Sequence, residues 1–198
     1  MNIIISGGGT GPDVAVFLAV DLFSLIENDY IVPMTDFISG TPDGEAIIAD
    51  FFPAFLLNSV DENDVIWGIP FQRSTPVMYY NKDLFREAGL DPEVAPKTWD
   101  DMLEAAKRLT AADGSRWGLM IPSDGFPYWL FQGFAISNGK NLVEASPVEV
   151  FFNTPSTVEG LEFFAALSRT HKVMPEGVIK WGDTPTAFTA GQAAIIYH

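Results

Sequence analysis

Short apolar runs alternate with segments of helical periodicity along most of the chain, and that alternation restricts the fold to the α/β class. Val14-Ala15-Val16-Phe17 reads as a buried strand after the turn Gly11-Pro12-Asp13, and Leu18 to Glu27 as a helix. Pro42, Gly44 and Pro53 break the next stretch into loop plus a helix over Glu45–Phe52. Val65 to Phe71 reads as a strand and Val77 to Tyr80 as another. The polar connector Gln72-Arg73-Ser74-Thr75-Pro76 joins them and is a natural crossing between two lobes.

Three helices beyond the connector are signed at their ends. Asp83 to Ala88 stops at Gly89, the residue type that closes helices in a left-handed conformation. Thr98 with Asp101 three residues on is an acidic capping box, followed by the apolar stripe Met102, Ala105, Ala106 and Leu109. Thr154-Pro155 opens a helix whose apolar side is Val158, Leu161, Ala165 and Leu167, and Thr184-Pro185 repeats that opening.

Charge narrows the partners. The 198 residues carry 11 Lys and Arg against 26 Asp and Glu, a formal charge of −15, and no basic run offsets it. Phosphate backbones and anionic lipid head groups are repelled, so nucleic-acid binding and direct membrane-surface binding are poor hypotheses. Hydrophobic residues at 47% exclude disorder. No apolar stretch reaches the ~18 residues of a membrane span. Met1 to Gly7 lacks the positive region of a signal peptide, so either the protein is cytoplasmic or its native start lies upstream.

Few residues offer catalysis. The absence of Cys removes thiolate chemistry, and His171 and His198 are isolated, so no metal site and no cofactor are expected. Ser24, Ser59 and Ser123 lack a nucleophile elbow. The run Gly7-Gly8-Gly9-Thr10-Gly11 resembles the phosphate loop of tubulin-like nucleotide binders, although Pro12-Asp13 breaks the match. It keeps open an alternative, a nucleotide-binding enzyme, beside the plainer reading of a turn before a strand.

Aromatic residues are the informative class, at 13%. The paired rings Phe51-Phe52, Phe151-Phe152 and Phe163-Phe164 read as core. Trp99 follows a cap, and Tyr128-Trp129 follows the turn Ser123-Asp124-Gly125, off any apolar stripe. Rings at element ends suit a sugar, whose C–H faces stack while its hydroxyls find polar partners. Burying ~200 Å² of one ring is worth ~5 kcal/mol before ordering costs, and micromolar binding needs ~8 kcal/mol, so two or three rings suffice.

The run Gly68-Ile69-Pro70-Phe71-Gln72-Arg73-Ser74-Thr75-Pro76-Val77-Met78-Tyr79-Tyr80-Asn81-Lys82-Asp83 resembles the central signature of family 1 extracellular solute-binding proteins, the sugar-binding subunits of ABC importers. Ala88-Gly89-Leu90-Asp91-Pro92, Pro96-Lys97-Thr98-Trp99-Asp100-Asp101 and Ala187-Phe188-Thr189-Ala190-Gly191-Gln192-Ala193-Ala194 continue the match in order. Upstream, Gly11-Pro12-Asp13-Val14 and Ile31-Val32-Pro33-Met34-Thr35-Asp36 fit as well.

The resemblance implies a periplasmic-binding-protein type II-like fold, two α/β lobes joined by a hinge, with residues 1–72 in a partial first lobe and 73–198 in the second. It implies a non-enzymatic, monomeric binder of a carbohydrate or polyol, held in an interlobe cleft that closes on the ligand and then docks on a membrane permease and its ATPase. It implies a periplasmic or extracytoplasmic location, tethered to the membrane if the protein is a lipoprotein. The family's first strand and helix would precede Gly7, and its remaining elements would follow His198. Ser74 falls at a hinge-proximal ligand contact, Trp99 at a Thr-Trp stacking position, Phe17 at a cleft-lining aromatic, and Tyr128 and Trp129 at a stacking pair after a proline. Asp21 lies one residue off an acidic contact, and Gln72 and Arg73 are neighbours of Ser74. The acidic contact of glycerol-phosphate binders would fall at Ala19. On this reading Trp99→Ala weakens binding at least about tenfold, ~1.4 kcal/mol.

Overall fold

The computed structural model describes residues 11–125, 127–145 and 148–198. The chain divides into two compact units, residues 1–74 and 75–198.

The first unit is built from short helices: α1 (Leu22–Glu27), α2 (Thr35–Ser39), α3 (Gly44–Ala49) and α4 (Pro53–Leu56), with 3-10 turns at Ala19–Asp21 and Leu57–Ser59. Helix α3 is shorter than the expected Glu45–Phe52. Pro53 forbids helical geometry at the preceding residue, and Phe52 is extended with ψ 126°. Neither expected strand of this unit forms. Val14 and Val16 are 87% and 70% exposed, and among the described residues no strand pairs with them. Val65–Phe71 contributes only an isolated bridge, Val60 to Ile66. An apolar run becomes a strand only where a partner completes its ladder.

A carboxylate organises that bridge instead. Asp61 accepts from Asn63 N–H at 2.8 Å, Val65 N–H at 3.0 Å and the Trp67 indole N–H at 2.9 Å. The Trp67 bond, with help from the two backbone donors, holds the Asp61 carboxyl below its ordinary value.

The second unit carries a three-stranded sheet in the order β1-β5-β2, made of β1 (Met78–Tyr80), β2 (Trp117–Met120) and β5 (Ala193–Tyr197). Strand β5 runs antiparallel to β1, with Met78 opposite Tyr197, and parallel to β2, with Leu119 opposite Ile195. Between β1 and β2 lie α5 (Lys82–Glu87) and α6 (Trp99–Leu109). Between β2 and β5 lie α7 (Pro127–Ser137), the hairpin β3 (Val143–Ala145) and β4 (Val148–Val150), α8 (Pro155–Arg169) and α9 (Asp183–Thr189). The core gathers Phe85, Met102, Leu109, Leu119, Ile121, Leu167 and Ile195 around the central strand, all nearly inaccessible.

Local signals place most helix ends. Asn81 caps α5 by accepting from Asp83 and Leu84 N–H, and Gly89 closes it with φ 68°. The expected capping box of α6 is formed, with Thr98 Oγ1 accepting from Asp101 N–H at 3.1 Å and Asp101 accepting from Thr98 N–H at 3.1 Å. Thr98→Ala is expected to cost about 1 kcal/mol, a fall of a few degrees in melting temperature by calorimetry. The Thr98 bond and backbone donors hold Asp101 below its ordinary value. The contribution of the box is therefore present above the unfolded carboxylate range and is lost as pH falls through the folded value.

Two helix expectations shift. Thr154 caps α8, but its buried residues are Thr157, Gly160 and Leu167, while Val158 and Leu161 are 38% and 51% exposed. One residue of offset rotates a helical stripe by about 100°. Thr184 is not the cap of α9. The helix begins at Asp183 after Gly182, and Thr184 is buried with its hydroxyl donating to Trp181 O at 3.1 Å. The paired phenylalanines also separate. Phe163 and Phe164 pack on the core, whereas Phe52 and Phe152 are 73% and 57% exposed.

Candidate functional site

In the second unit the sheet aims several chain segments at one edge. Strands β2 and β5 are parallel, so both end there, and the antiparallel β1 begins there. Val77 and His198 exchange backbone bonds at 3.0 and 3.2 Å across this edge. The carboxyl ends of parallel strands are where open α/β sheets bind ligands, because the following loops diverge and leave a crevice.

The loop after β2 is pinned at this edge. Ser123 N–H donates to Ile179 O at 2.8 Å, and Ile179 N–H donates to Ser123 Oγ at 2.9 Å. Trp181 N–H donates to Asp124 Oδ1 at 2.8 Å. Gly125 then turns the chain into α7 with φ 74°. A Cβ at Gly125 would lie 3.2 Å from the Cβ of Trp181, so the turn also needs the absence of a side chain.

A row of rings follows from that loop. Tyr128 and Trp129, in the first turn of α7, meet edge to face with centroids 5.3 Å apart at 67°. Trp129 meets Trp181 at 6.3 Å and 79°, and Trp181 lies against the His198 imidazole at 4.5 Å and 47°. Tyr128 is 40% exposed, and Trp129 and Trp181 are half-buried, so the row has one open end. His198 Nε2 is buried without a hydrogen-bond partner among the described residues. A surface cavity of about 410 Å³ touches the loop at Ser123, but none of these four rings lines it.

Trp99 stands apart from this row. Its ring stacks on Phe163 at 4.7 Å and 21°, meets Phe134 edge-on at 5.5 Å and 67°, and its indole N–H donates to Ser137 Oγ at 3.1 Å. Those contacts pack the half-buried Trp99 ring into the α6–α7–α8 layer.

The remaining expected residues lie in the first unit. Arg73 is committed there, with Nε and Nη2 each 3.2 Å from Phe55 O and Nη2 donating to Ser59 Oγ at 3.0 Å. Gln72 and Ser74, on either side of it, are exposed. Asp21 is exposed at the end of the Ala19–Asp21 turn, which lies beside Leu57–Ser59, and Phe17 is half-buried just before it. Of the Gly7–Gly11 loop, only Gly11 falls within the described residues. Among the described residues no cluster of His, Asp and Glu could hold a metal, and no helix is long and apolar enough to cross a membrane. Asp124, Trp181 and His198 were not singled out as site residues by the sequence. The faint signal was a Ser-Asp-Gly turn ahead of two aromatic residues.

Comparison with known proteins agrees with this architecture. The model of bacterial extracellular solute-binding proteins matches residues 1–198. The sn-glycerol-3-phosphate-binding periplasmic protein UgpB of Brucella abortus (strain 2308) is 27% identical over 158 residues, 75% of this chain and 35% of that protein. UgpB of Escherichia coli (strain K12) is 35% identical over 105 residues, 50% of this chain and 24% of that protein. Maltose-bound MalE3 of T. maritima superposes with a TM-score of 0.79 at 25% identity, covering 98% of this chain and 48% of that one. The chain thus spans between a quarter and a half of the length of these relatives. The family match over all 198 residues and the shared α/β fold make this chain a member of the bacterial extracellular solute-binding proteins.

Proposed function

We propose that the chain forms part of the substrate-binding subunit of an ABC importer, and that its ligand is a sugar or a sugar-like polyol. The half-open ring pair Tyr128–Trp129 at the carboxyl edge of parallel strands carries the reading. Tyr128 would offer its accessible ring to the C–H face of a sugar and its phenol to a ligand hydroxyl. Trp129 would form the second wall. Phe17, Asp21, Gln72, Arg73 and Ser74 belong to the reading through the family resemblance; the Arg73 guanidinium, occupied by Phe55 O and Ser59 Oγ, would act by shaping the connector. Ligand would favour a closed form of the whole protein, which a permease and its ATPase would then engage from outside the cytoplasm.

The names of the relatives support two ligand chemistries, maltose and sn-glycerol 3-phosphate. Ala19, where glycerol-phosphate binders carry an acidic contact, favours the neutral sugar or polyol. A thermal-shift screen of maltose, linear polyols and sn-glycerol 3-phosphate against GTP and ATP tests this. A ligand at a hundred times its Kd should add ~2.7 kcal/mol and raise the melting temperature by several degrees. A shift with nucleotides alone would overturn the reading in favour of an enzyme built on the Gly7–Gly11 loop. For a sugar that binds, Tyr128→Ala should weaken affinity about tenfold in calorimetry, ~1.4 kcal/mol. Unchanged affinity would remove Tyr128 from the site.

A further inference from the structure

We propose that Asp124 and Trp181 are positioning residues for the Tyr128–Trp129 pair: Asp124 fixes the backbone of Trp181, and the Trp181 ring fixes the plane of Trp129. The inference rests on the ligand-binding reading of that pair and adds the device that sets its geometry. Neither residue needs to touch ligand.

The chain of contacts is continuous. Asp124 and Trp181 are 57 residues apart in sequence, yet the Trp181 amide reaches Asp124 Oδ1 at 2.8 Å. A carboxylate acceptor makes this bond stronger than a neutral one. The adjacent Ser123–Ile179 pair, with bonds at 2.8 and 2.9 Å, keeps the two segments in register. Gly125 brings the backbone so close that an added Cβ would sit 3.2 Å from Trp181 Cβ, which limits how far Trp181 can drift.

The indole of Trp181 is then flanked by His198 at the end of β5 and by Trp129 in α7. A ring has few torsions, and an edge-to-face neighbour at 79° sets the plane of Trp129 before any ligand arrives. Trp129 in turn sets Tyr128 at 67°. A platform ordered in advance loses less freedom on binding, so affinity becomes sensitive to Asp124.

The test pairs Asp124→Asn, which keeps an Oδ1 acceptor, with Asp124→Ala, which removes it. Two indoles in contact give an exciton band in far-ultraviolet circular dichroism, readable on the chain without ligand. Asp124→Asn should retain this band, and Asp124→Ala should lose most of it. Maltose affinity by calorimetry should fall about threefold to tenfold for Asp124→Ala and stay within about twofold for Asp124→Asn. An unchanged band in Asp124→Ala, or equal loss in both variants, overturns the proposal.

If Asp124→Ala fails to fold, the ring itself decides. Trp181→Phe should hold maltose affinity within about twofold, and Trp181→Leu should weaken it about threefold to tenfold. Equal affinities in these two variants also overturn the proposal. A band that follows Asp124 in a protein that binds no sugar or polyol supports the positioning contact and removes the ligand reading alone.

Discussion

Gly118→Ala is expected to destabilise the protein by about 3 kcal/mol or more in chemical denaturation, the largest loss from adding one methyl group among its described glycines. The second residue of β2 lies directly against the last turns of α6. A Cβ on Gly118 would stand 1.9 Å from Ala106 O, 2.6 Å from its carbonyl carbon and 2.7 Å from Thr110 Oγ1. The obstacle is backbone, so no rotamer change relieves it. Thr110 ties the two elements together there, donating from its hydroxyl to Ala106 O at 2.8 Å and accepting from Gly118 N–H at 3.0 Å. Moving α6 away would break that relay and open the core around Ala106 and Leu109, both fully buried. Gly133, inside α7 with no atom within 4 Å of an added Cβ, is the control. Gly133→Ala should be neutral or stabilising by up to about 1 kcal/mol, because alanine favours the helix. A loss under about 1 kcal/mol at Gly118 would mean that α6 slides freely on the sheet, against the overpacking argument.

That close approach matters for the sheet edge that carries the row of rings. Helix α6 holds β2 at Gly118, and β2 delivers Ser123, Asp124 and Gly125 to the row of rings. A slack contact at Gly118 would loosen the loop from its base. Stability and site geometry therefore share one element here.

What the sequence made legible were interactions that close within a few residues. The caps at Thr98 and Thr154, and the stop at Gly89, each depend on groups within three or four positions, and the structure forms them as read. Strands were harder because their existence rests on a distant partner. Val14–Phe17 and Val65–Phe71 are as apolar as β5, yet β5 alone finds ladders on both sides, at Met78–Tyr80 and Trp117–Met120. Even a local signal can mislead when burial competes. Thr154-Pro155 and Thr184-Pro185 are the same dipeptide, but the second threonine is drawn into the core by Trp181 O. The site divides in the same way. Tyr128 and Trp129 announce themselves as neighbouring rings after a turn, whereas Asp124 and Trp181 meet across a connection containing two helices and a hairpin.

Trp99→Ala gives the second large effect, and it separates two readings of one residue. A tryptophan whose ring is stacked on Phe163, braced by Phe134 and hydrogen-bonded to Ser137 should cost about 3 kcal/mol of stability when truncated, the lower end for large aromatic residues because it is only half-buried. Trp99→Phe should recover most of that, losing the stack only in part and the Ser137 bond at about 1 kcal/mol. Ligand affinity measured below the melting range should change less than about twofold in either variant, since the ring contacts of Trp99 are with α7 and α8 and not with the Tyr128–Trp129 row. A ligand-stacking Trp99, as the Thr-Trp resemblance implied, predicts the reverse pattern. Stability would barely move and affinity would fall about tenfold. Denaturation and calorimetry on the same two variants therefore decide whether Trp99 supports the site through the fold or belongs to its surface.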